Sequence, residues 1–586
     1  MEGDPFSALL GRDLFLLASL RGDVVPSGPF DEPSVLRFLT WWYNFGLDEY
    51  PELAKRLAPE LWRGYLQWLT EPAPGIVQDV ELPISRYFLG LRELSDALKQ
   101  GLDLQTQLGR RILLRWAISF GLQEHRRRFL LSSDQLARLQ HLIDAKARLP
   151  LSALLLWEGV AEVRENFPLS SPEQVFAFSH WYHTEGAVQW AHDLLFEAEK
   201  PVLPRQAWSQ DIGSSLQQRI SLVGFAKGEF GIGEDIRTTA FALEAAGVPF
   251  EIFNCHPAAH REQDESADRF IAPEATGDIN IFCMSPIDTL EVYLKSPSLF
   301  SGRYNVGYWP WELSVWPDQL TPICELVDEI WVATQHICEA FLPRSRAPVI
   351  RMPPCVELTG DVPVDHGRFS LPRDCFSFLF VFDWSSFVAR KNPLGLVRAF
   401  SEAFDATDQS VSLILKTMNS DRASAEFATL LAHADADRRI RIIDETLPRI
   451  DVLGLMSACD AVVSLHRAEG FGRTLAEAML LGKPVIATDW SGNLDFCNGN
   501  TAALVPARAL VIREHEYPFS AGLSWAEPDI DEAANLMRKV RTDSPYRAAL
   551  AQNGQNFVAG RYNREAAGVR YRFRLEAIRR ELSSRA

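Results

Sequence analysis

Two glutamates and two adjacent basic residues carry the clearest potential for chemistry in this 586-residue sequence. Glu469 and Glu477 stand at the two ends of the stretch EGFGRTLAE, in which a glycine-containing turn precedes a helical pattern. A helix start offers unpaired N–H groups and partial positive charge, which suit a phosphate. A carboxylate beside it suits sugar or ribose hydroxyls, although a plain turn between strand and helix remains the alternative. Arg390 and Lys391 precede another helical pattern, where two cations oppose the helix dipole and favour an anionic ligand over a solvated face.

The elements that position these residues are strand–turn–helix–strand units. Residues 461–465 form a short, β-branched apolar run that predicts a strand, and residues 473–481 predict a helix closed by Gly482. A second strand is predicted over 484–488, so the unit is of the kind that builds parallel sheets. Further strands are predicted over 220–225, 250–253, 278–283, 304–308, 329–333, 376–382, 411–416 and 441–444.

The stretch EGFGRTLAE, followed by KPVIATDWSGNLD, resembles the donor-binding motif of retaining GT-B glycosyltransferases of family four, the glycosyl transferases group 1. The resemblance implies a nucleotide-sugar donor, with Glu469 on the donor sugar and Glu477 on the ribose hydroxyls. It also implies that turn and helix-start amides hold the sugar hydroxyls and the diphosphate. The donor-binding residues implied here are Gly470, Phe471, Gly472, Arg473, Thr474, Leu475 and Glu477.

The same resemblance assigns the basic pair to the donor diphosphate. Lys391 matches the lysine of the family, whereas the family arginine usually lies several residues earlier, where this sequence has Ser385 and Ser386. Arg390 is therefore the candidate substitute, and the predicted catalytic residues are Glu469, Lys391 and Arg390. The implied reaction is a front-side displacement in which the leaving diphosphate helps to deprotonate the acceptor hydroxyl. It needs no metal site and no cofactor.

Two stretches nearer the N-terminus are further site candidates. Residues 229–234 predict a glycine turn before a helix over 235–247. The resemblance makes Gly231 and Gly233 part of a loop that faces the donor phosphate or the acceptor, and we count both among the donor-binding candidates. The sequence YWPWEL follows the predicted strand 304–308, at a sheet edge where α/β proteins place ligands. Trp309 and Glu312 are thus candidates for an acceptor or sugar contact, with a packed loop core as the alternative. The histidine that the family often has in such a loop is absent.

Composition and charge limit the classes of molecule that this protein is expected to bind. A formal net charge of −18 argues against nucleic-acid binding. No apolar run approaches a membrane span, and the first residues lack the basic region of a signal peptide. The cysteines lie between Cys255 and Cys497 without a CxxC pair, which indicates scattered thiols in a reducing cytoplasm. The expected partners are a nucleotide-sugar donor and a glycan or lipid-linked glycan acceptor.

The composition changes near residue 200, which predicts separate domains. Residues 1–205 read as an α-helical region with a weak internal repeat, in which a Trp precedes a Gly by five positions near Trp41, Trp116 and Trp181. We interpret these Trp residues and glycines as residues that pack the core and end helices. The run Arg126–Arg128 is interpreted as a solvated helix face, with an anion site as the alternative.

The remaining boundaries follow from turn-rich segments. Residues 201–217 predict a linker and residues 343–374 an interdomain connector. The predicted units are an acceptor domain over 218–355, a donor domain over 370–545 and a C-terminal helix over 546–586 that crosses back. An apolar stripe of Tyr571, Leu575, Ile578 and Leu582 lies among arginines in this tail, which suits packing or contact with an anionic membrane surface.

The sequence thus predicts an α/β fold, two Rossmann-like domains of GT-B architecture after an all-α region. The implied activity is a retaining hexosyltransferase acting on a glycan or glycolipid hydroxyl in cell-surface polysaccharide or lipopolysaccharide synthesis. The expected location is the cytoplasm, with peripheral contact at the inner face of the membrane left open. Another GT-B reaction, such as an epimerase or phosphorylase, and a non-catalytic scaffold whose helical repeats recruit partners remain alternatives.

Overall fold

The computed structural model describes residues 5–25, 31–124, 130–195, 219–256, 264–358 and 374–585, together with residues 360, 362, 364, 366–369 and 371. The chain divides into two units. The first holds the described residues before 212 together with Leu294–Pro297, and the second holds the rest. The predicted linker 201–217 and the run Arg126–Arg128 lie outside the described residues.

The first unit is built mainly from helices, as its Leu- and Trp-rich, glycine-poor sequence predicts. A short antiparallel pair, β1 (Leu142–Asp144) and β2 (Leu149–Pro150), joins two of them. The helices are α1 (Pro5–Leu20), α2 (Glu32–Trp41), α3 (Leu47–Glu49), α4 (Pro51–Arg56), α5 (Pro59–Thr70), α6 (Arg86–Leu94), α7 (Asp96–Gly101), α8 (Gln107–Trp116), α9 (Leu122–Glu124), α10 (Ser133–Gln140), α11 (Leu151–Gly159), α12 (Ala161–Asn166), α13 (Pro172–Trp181) and α14 (Ala187–Gln189).

The three copies of the Trp–Gly pattern adopt the same local structure. In each copy a helix continues through a five-residue π turn into a further short helix, and these π turns are Trp42–Gly46, Ala117–Gly121 and Tyr182–Gly186. A Cβ on Gly46 would lie 2.4 Å from the ring of Trp42, and one on Gly186 would lie 2.7 Å from the ring of Trp181. In these two copies the glycine makes room for an indole ring inside a continuing helix. The interpretation of this glycine as a helix end is wrong, because a π turn inserts an extra residue without stopping the helix.

The second unit begins with a six-stranded parallel sheet in the order β4-β3-β5-β6-β7-β8. The four inner strands β3, β5, β6 and β7 are short runs that are buried along their whole length, which is the usual state of parallel strands. The edge strand β8 lies inside the segment 343–374 that the sequence assigned to a connector; its three residues are too few to show a period. The strands are β3 (Ile220–Gly224), β4 (Phe250–Asn254), β5 (Ile279–Cys283), β6 (Tyr304–Tyr308), β7 (Glu329–Val332) and β8 (Val349–Arg351), and the helices are α15 (Gly231–Ala245), α16 (Pro286–Lys295) and α17 (Gln335–Phe341).

A second six-stranded parallel sheet follows, in the order β11-β10-β9-β12-β13-β14. An antiparallel hairpin of β15 (Ala507–Val511) and β16 (Ser524–Pro528) extends from its last strand. The strands are β9 (Phe376–Val381), β10 (Val411–Thr417), β11 (Ile440–Asp444), β12 (Ala461–Ser464), β13 (Val485–Thr488) and β14 (Ala503–Val505). The helices are α18 (Val388–Lys391), α19 (Pro393–Ala403), α20 (Ala425–Ala436), α21 (Arg449–Ala458), α22 (Arg473–Leu480), α23 (Ile530–Thr542) and α24 (Ser544–Arg561).

The last helix, α25 (Arg564–Arg585), packs against the first of the two sheet domains. Tyr571, Leu575 and Ile578 are fully buried in the core of that domain, and the ring of Tyr571 stacks on Trp331 at 5.8 Å between centroids. The predicted fold class is confirmed: a helical region precedes two Rossmann-like domains in a GT-B arrangement. No helix within the described ranges is both long and apolar enough to cross a membrane.

Candidate active site

The turn between β12 and α22 is held in shape by close backbone packing. Gly472 has a φ of +88°, a left-handed conformation that favours glycine. A Cβ on Gly470 would lie 2.8 Å from the carbonyl oxygen of Trp311, which belongs to the first sheet domain. Thr334, also in the first domain, donates a hydrogen bond from Oγ1 to the Gly470 carbonyl at 2.9 Å. The turn is therefore seated directly against the first domain.

Glu469 faces both members of the predicted basic pair. Lys391 donates from Nζ to Glu469 Oε1, and Arg390 Nη1 lies 3.4 Å from Glu469 Oε2. The backbone N–H of Glu469 donates to Ser491 Oγ at 2.8 Å, which fixes the start of the turn. The structure thus brings the three predicted catalytic residues together, although they come from two separate strand–helix junctions.

Asn392 ties these two junctions to each other. Its backbone is left-handed, with a φ of 56°, and its side chain caps α19 by accepting from Gly395 N at 3.2 Å. The same side chain donates to the carbonyl of Leu465 at 3.0 Å, at the end of β12. One amide, directly after Lys391, therefore ties the start of α19 to the segment that leads from β12 to Glu469.

The cations keep Glu469 ionised. Burial alone would raise the pKa of Glu469, but Lys391, Arg390 and His466 outweigh burial and lower it to about 2. His466 itself is fully buried between Ser464 and Asn493, and burial lowers its pKa. Glu469 is thus a negative charge beside Arg390 and Lys391, and burial lowers the pKa of Lys391 from its ordinary value.

The first sheet domain adds Glu312 to this cluster. Its Oε1 lies 3.6 Å from Arg390 Nη2, and its Oε2 accepts from Tyr517 Oη at 2.5 Å. Trp309 does not join it, because its ring is buried to 1 % exposure and donates from Nε1 to Thr289 Oγ1 at 2.9 Å. Of the two residues predicted for an acceptor or sugar contact, the structure places Glu312 at the cluster and Trp309 in the core.

Glu477 lies on the buried side of α22, with 3 % exposure. Arg449 donates from Nη1 to Glu477 Oε1 at 2.9 Å, and Arg449 Nε lies 3.1 Å from Glu234 Oε1 in the first domain. Glu477, the residue predicted to contact the ribose, is therefore already paired with Arg449.

The glycine segment of the first domain lies within helix α15 itself, and this corrects the predicted helix start at 235. A Cβ on Gly233 would lie 2.2 Å from the carbonyl oxygen of Gly228, whereas Gly231 has open space around its Cα. Gly233 is thus a packing requirement. Asp235 lies two residues further along α15 and accepts a hydrogen bond from the side chain of Arg473. Arg473 also donates to the Cys355 carbonyl at 3.1 Å.

The start of α22 offers backbone donors. Leu475 is buried and its N–H donates to the Gly472 carbonyl at 3.0 Å, so it is used within the turn. The N–H groups of Arg473 and Thr474 precede it, in the positions where helices have no internal acceptor. The ring of Phe471 packs against the rings of Phe496 and Tyr562, with centroids 5.0 and 5.5 Å apart.

Two side chains from outside the motif contact the predicted site residues, and sequence patterns did not predict them: Arg449 beside Glu477, and Tyr517 beside Glu312. Arg449 begins a helix after the loop that follows β11, and Tyr517 comes from the hairpin between β15 and β16. The sequence around Arg449 does contain a usable pattern, because an arginine directly after Pro448 opens a helix. Nothing in the sequence near Tyr517 indicates that it lies beside Glu312.

The family comparison matches the domain that carries the motif. A family model described as Glycosyl transferases group 1 matches residues 379–557, a range that includes Lys391, Glu469 and Glu477. A comparison with curated proteins found no match.

Solved structures with a similar arrangement include HepE of Anabaena in complex with UDP and glucose, at 17 % identity over 62 % of this chain and 100 % of that chain, with a TM-score of 0.45. Sucrose-phosphate synthase of Thermosynechococcus elongatus is similar at 17 % identity over 63 % of this chain and 100 % of that chain, with a TM-score of 0.46. The pneumococcal O-GlcNAc transferase GtfA, with UDP and GlcNAc, is similar at 15 % identity over 51 % and 56 %, with a TM-score of 0.38.

Proposed function

We propose that this chain is a glycosyltransferase that moves a sugar from a nucleotide-sugar donor to an acceptor hydroxyl with retention of anomeric configuration. The observation that carries the proposal is the cluster of Glu469, Lys391 and Arg390 at the open start of α22, within the range that matches the family model. A carboxylate, two cations and helix-start N–H groups are what a sugar joined to a diphosphate requires.

In this proposal the protein contributes position and charge. The bond between the anomeric carbon and the diphosphate oxygen breaks, and the acceptor oxygen bonds to the same face of that carbon. The acceptor proton passes to the leaving diphosphate. Lys391 exchanges its partner Glu469 for the diphosphate, Arg390 keeps Glu469 oriented, and the N–H groups of Arg473 and Thr474 stabilise the developing negative charge.

The deciding experiment is product analysis with labelled donors. A thermal-shift screen of UDP-, GDP- and dTDP-sugars first identifies the nucleotide that raises the melting temperature. The labelled donor is then incubated with an acceptor mixture, and the anomeric configuration of the product is read by NMR coupling constants. A glycoside with the configuration of the donor supports the proposal. An inverted product overturns retention, whereas an epimerised donor or a sugar phosphate overturns glycosyl transfer.

We further propose that the acceptor is a glycan or lipid-linked glycan of a cell-surface polysaccharide or lipopolysaccharide. Glu312 supports a sugar acceptor, because it brings a carboxylate from the first domain next to the cations of the second. Free oligosaccharides and lipid-linked glycans should both be tested. Transfer to neither, with transfer to a protein hydroxyl instead, would replace this assignment.

We propose that the solvent-exposed side of helix α25 contacts the inner face of the membrane. Val569 and Phe573 are 55 % and 71 % exposed there, and the side chain of Arg572 is half exposed beside them. An exposed aromatic ring among arginines suits an anionic lipid surface. Co-sedimentation with anionic vesicles should weaken in Phe573→Asp and hold in Val511→Asp, a control at a 64 % exposed apolar residue of β15. Equal binding of both variants would contradict the contact.

A further inference from the structure

A cavity separate from the motif turn is lined by three arginines. It has a volume of about 580 Å³ and lies where β8, the end of α24 and α25 meet. Arg351, Arg561 and Arg570 face it, with Asp495 as the carboxylate in its wall. Tyr562 and Leu494 supply apolar surface between these charges.

The positive charge of this cavity is only partly compensated. Arg351 Nη1 lies 3.7 Å from Asp495 Oδ2, which is a loose ion pair, and Asp495 also accepts from the backbone N–H of Gln335 at 3.2 Å. The guanidinium of Arg561 lies over the ring of Phe557, 4.6 Å from its centroid. Three guanidinium groups beside one carboxylate repel one another unless an anion joins them.

Arg570 is held by two backbone carbonyls, while its Nε–H has no acceptor in the part of the chain that the structure describes. It donates from Nη1 to the Arg561 carbonyl at 3.0 Å and from Nη2 to the Pro353 carbonyl at 3.3 Å. Its Nε is buried and meets no acceptor among the described residues. A buried N–H without an acceptor costs free energy, and it adds to the uncompensated positive charge beside the cavity.

We propose that this cavity is a second anion site that binds a phosphomonoester of sugar size. Arginines recognise phosphate oxygens through paired N–H donors, which explains the charge. The volume exceeds that of a phosphate ion and lies in the range of small-molecule sites, and the surfaces of Tyr562 and Leu494 suit a carbon skeleton. Tyr562 also contacts Phe471, so the occupant lies behind the turn that carries Glu469.

The test is calorimetric titration of the full chain with glucose 6-phosphate, glucose and inorganic phosphate, in the presence of saturating nucleoside diphosphate to fill the donor site. Glucose 6-phosphate should bind more tightly than either of the others. Arg351→Gln/Arg561→Gln should weaken this binding by about ten- to a hundredfold. The matched control Arg63→Gln/Arg138→Gln removes two arginines of the helical unit, with side chains 68 % and 49 % exposed, and should leave it unchanged.

Several outcomes would overturn the proposal. Equal affinity in the two double variants, both folded by circular dichroism, would remove the site from this cavity. Equal binding of glucose and glucose 6-phosphate would remove the phosphate from the ligand. Binding of phosphatidic acid vesicles that depends on Arg351 and Arg561, without binding of glucose 6-phosphate, would assign the cavity to a lipid headgroup. Loss of binding in Lys391→Ala would place the ligand in the donor site, and this result is independent of whether sugar transfer occurs.

Discussion

Arg449 joins Glu477 of the second Rossmann-like domain to Glu234 of the first, with its Nη1 2.9 Å from Glu477 Oε1 and its Nε 3.1 Å from Glu234 Oε1. One guanidinium therefore links Glu477, the predicted ribose contact, to the first Rossmann-like domain.

We expect Glu477→Gln to weaken nucleoside diphosphate binding by about tenfold or more, because a hydrogen bond to a charged acceptor contributes about 1.5–3 kcal/mol. Calorimetric titration of the nucleotide measures this change. Glu234→Gln is the matched control, because it removes the other partner of Arg449 and leaves the predicted ribose contact in place. Unchanged diphosphate affinity in a folded Glu477→Gln protein would leave Glu477 as a structural partner of Arg449.

Glu469→Gln should act on turnover instead. A contact that tightens as the transferred sugar becomes cationic stabilises the transition state more than the bound donor, so its loss lowers kcat. We expect kcat to fall by roughly ten- to a hundredfold or more, with free nucleoside diphosphate affinity nearly unchanged. Steady-state kinetics measure kcat and KM, and the same calorimetric titration measures the nucleoside diphosphate affinity. A change in KM alone would reassign Glu469 to ground-state binding.

The pH dependence of stability tests the charge of the same residue. The folded pKa of Glu469 lies at about 2, below the ordinary value of 4.5, so the stabilisation by its cations is fully present above about pH 4.5. It is lost as the pH falls from there towards 2. Urea unfolding of wild type and Glu469→Gln should therefore show a constant difference from pH 7 to 5 and a shrinking one below. A difference that stays constant as the pH falls from 5 to 3 would show that the pKa of Glu469 is not depressed.

Sequence patterns predicted the sheets well because buried parallel strands are short apolar runs. The strand over 304–308 has the predicted bounds, and β13 begins one residue later than predicted. The same patterns could not find β8, whose three residues show no period, or the hairpin that delivers Tyr517 to Glu312. Contacts between residues that are 205 positions apart depend on how the two domains face each other, and local periodicity does not contain that information.

Metal independence remains a prediction from the sequence, since the proposed displacement assigns stabilisation of the leaving diphosphate to Lys391 and helix N–H groups. Turnover should be unchanged after dialysis against EDTA. The measurement is the transfer rate with labelled donor, before and after chelation. Loss of turnover that magnesium or manganese restores would show that a metal takes part.

The two units should fold separately when expressed as residues 1–205 and 214–586. The helical unit contains a buried aromatic and aliphatic cluster of its own, which includes Phe178 and Tyr182. Circular dichroism and thermal melting of each fragment check this expectation. If neither fragment is soluble and folded, the boundary is wrong. If the second hydrolyses donor without transfer, the first binds the acceptor or a partner.

The burial of α25 in the first sheet domain has a consequence for protein synthesis. The last strand of that sheet ends at Arg351, and Ile578 of its core comes 227 positions later. At roughly 5–20 residues per second, a ribosome needs about 10–45 s to cover that distance. During this time β3 to β8 exist without the side chains of Tyr571, Leu575 and Ile578, while the second sheet is already being made. The first sheet domain is therefore translated early and completed late. In between, the apolar surface that α25 covers in the folded protein is open to chaperones.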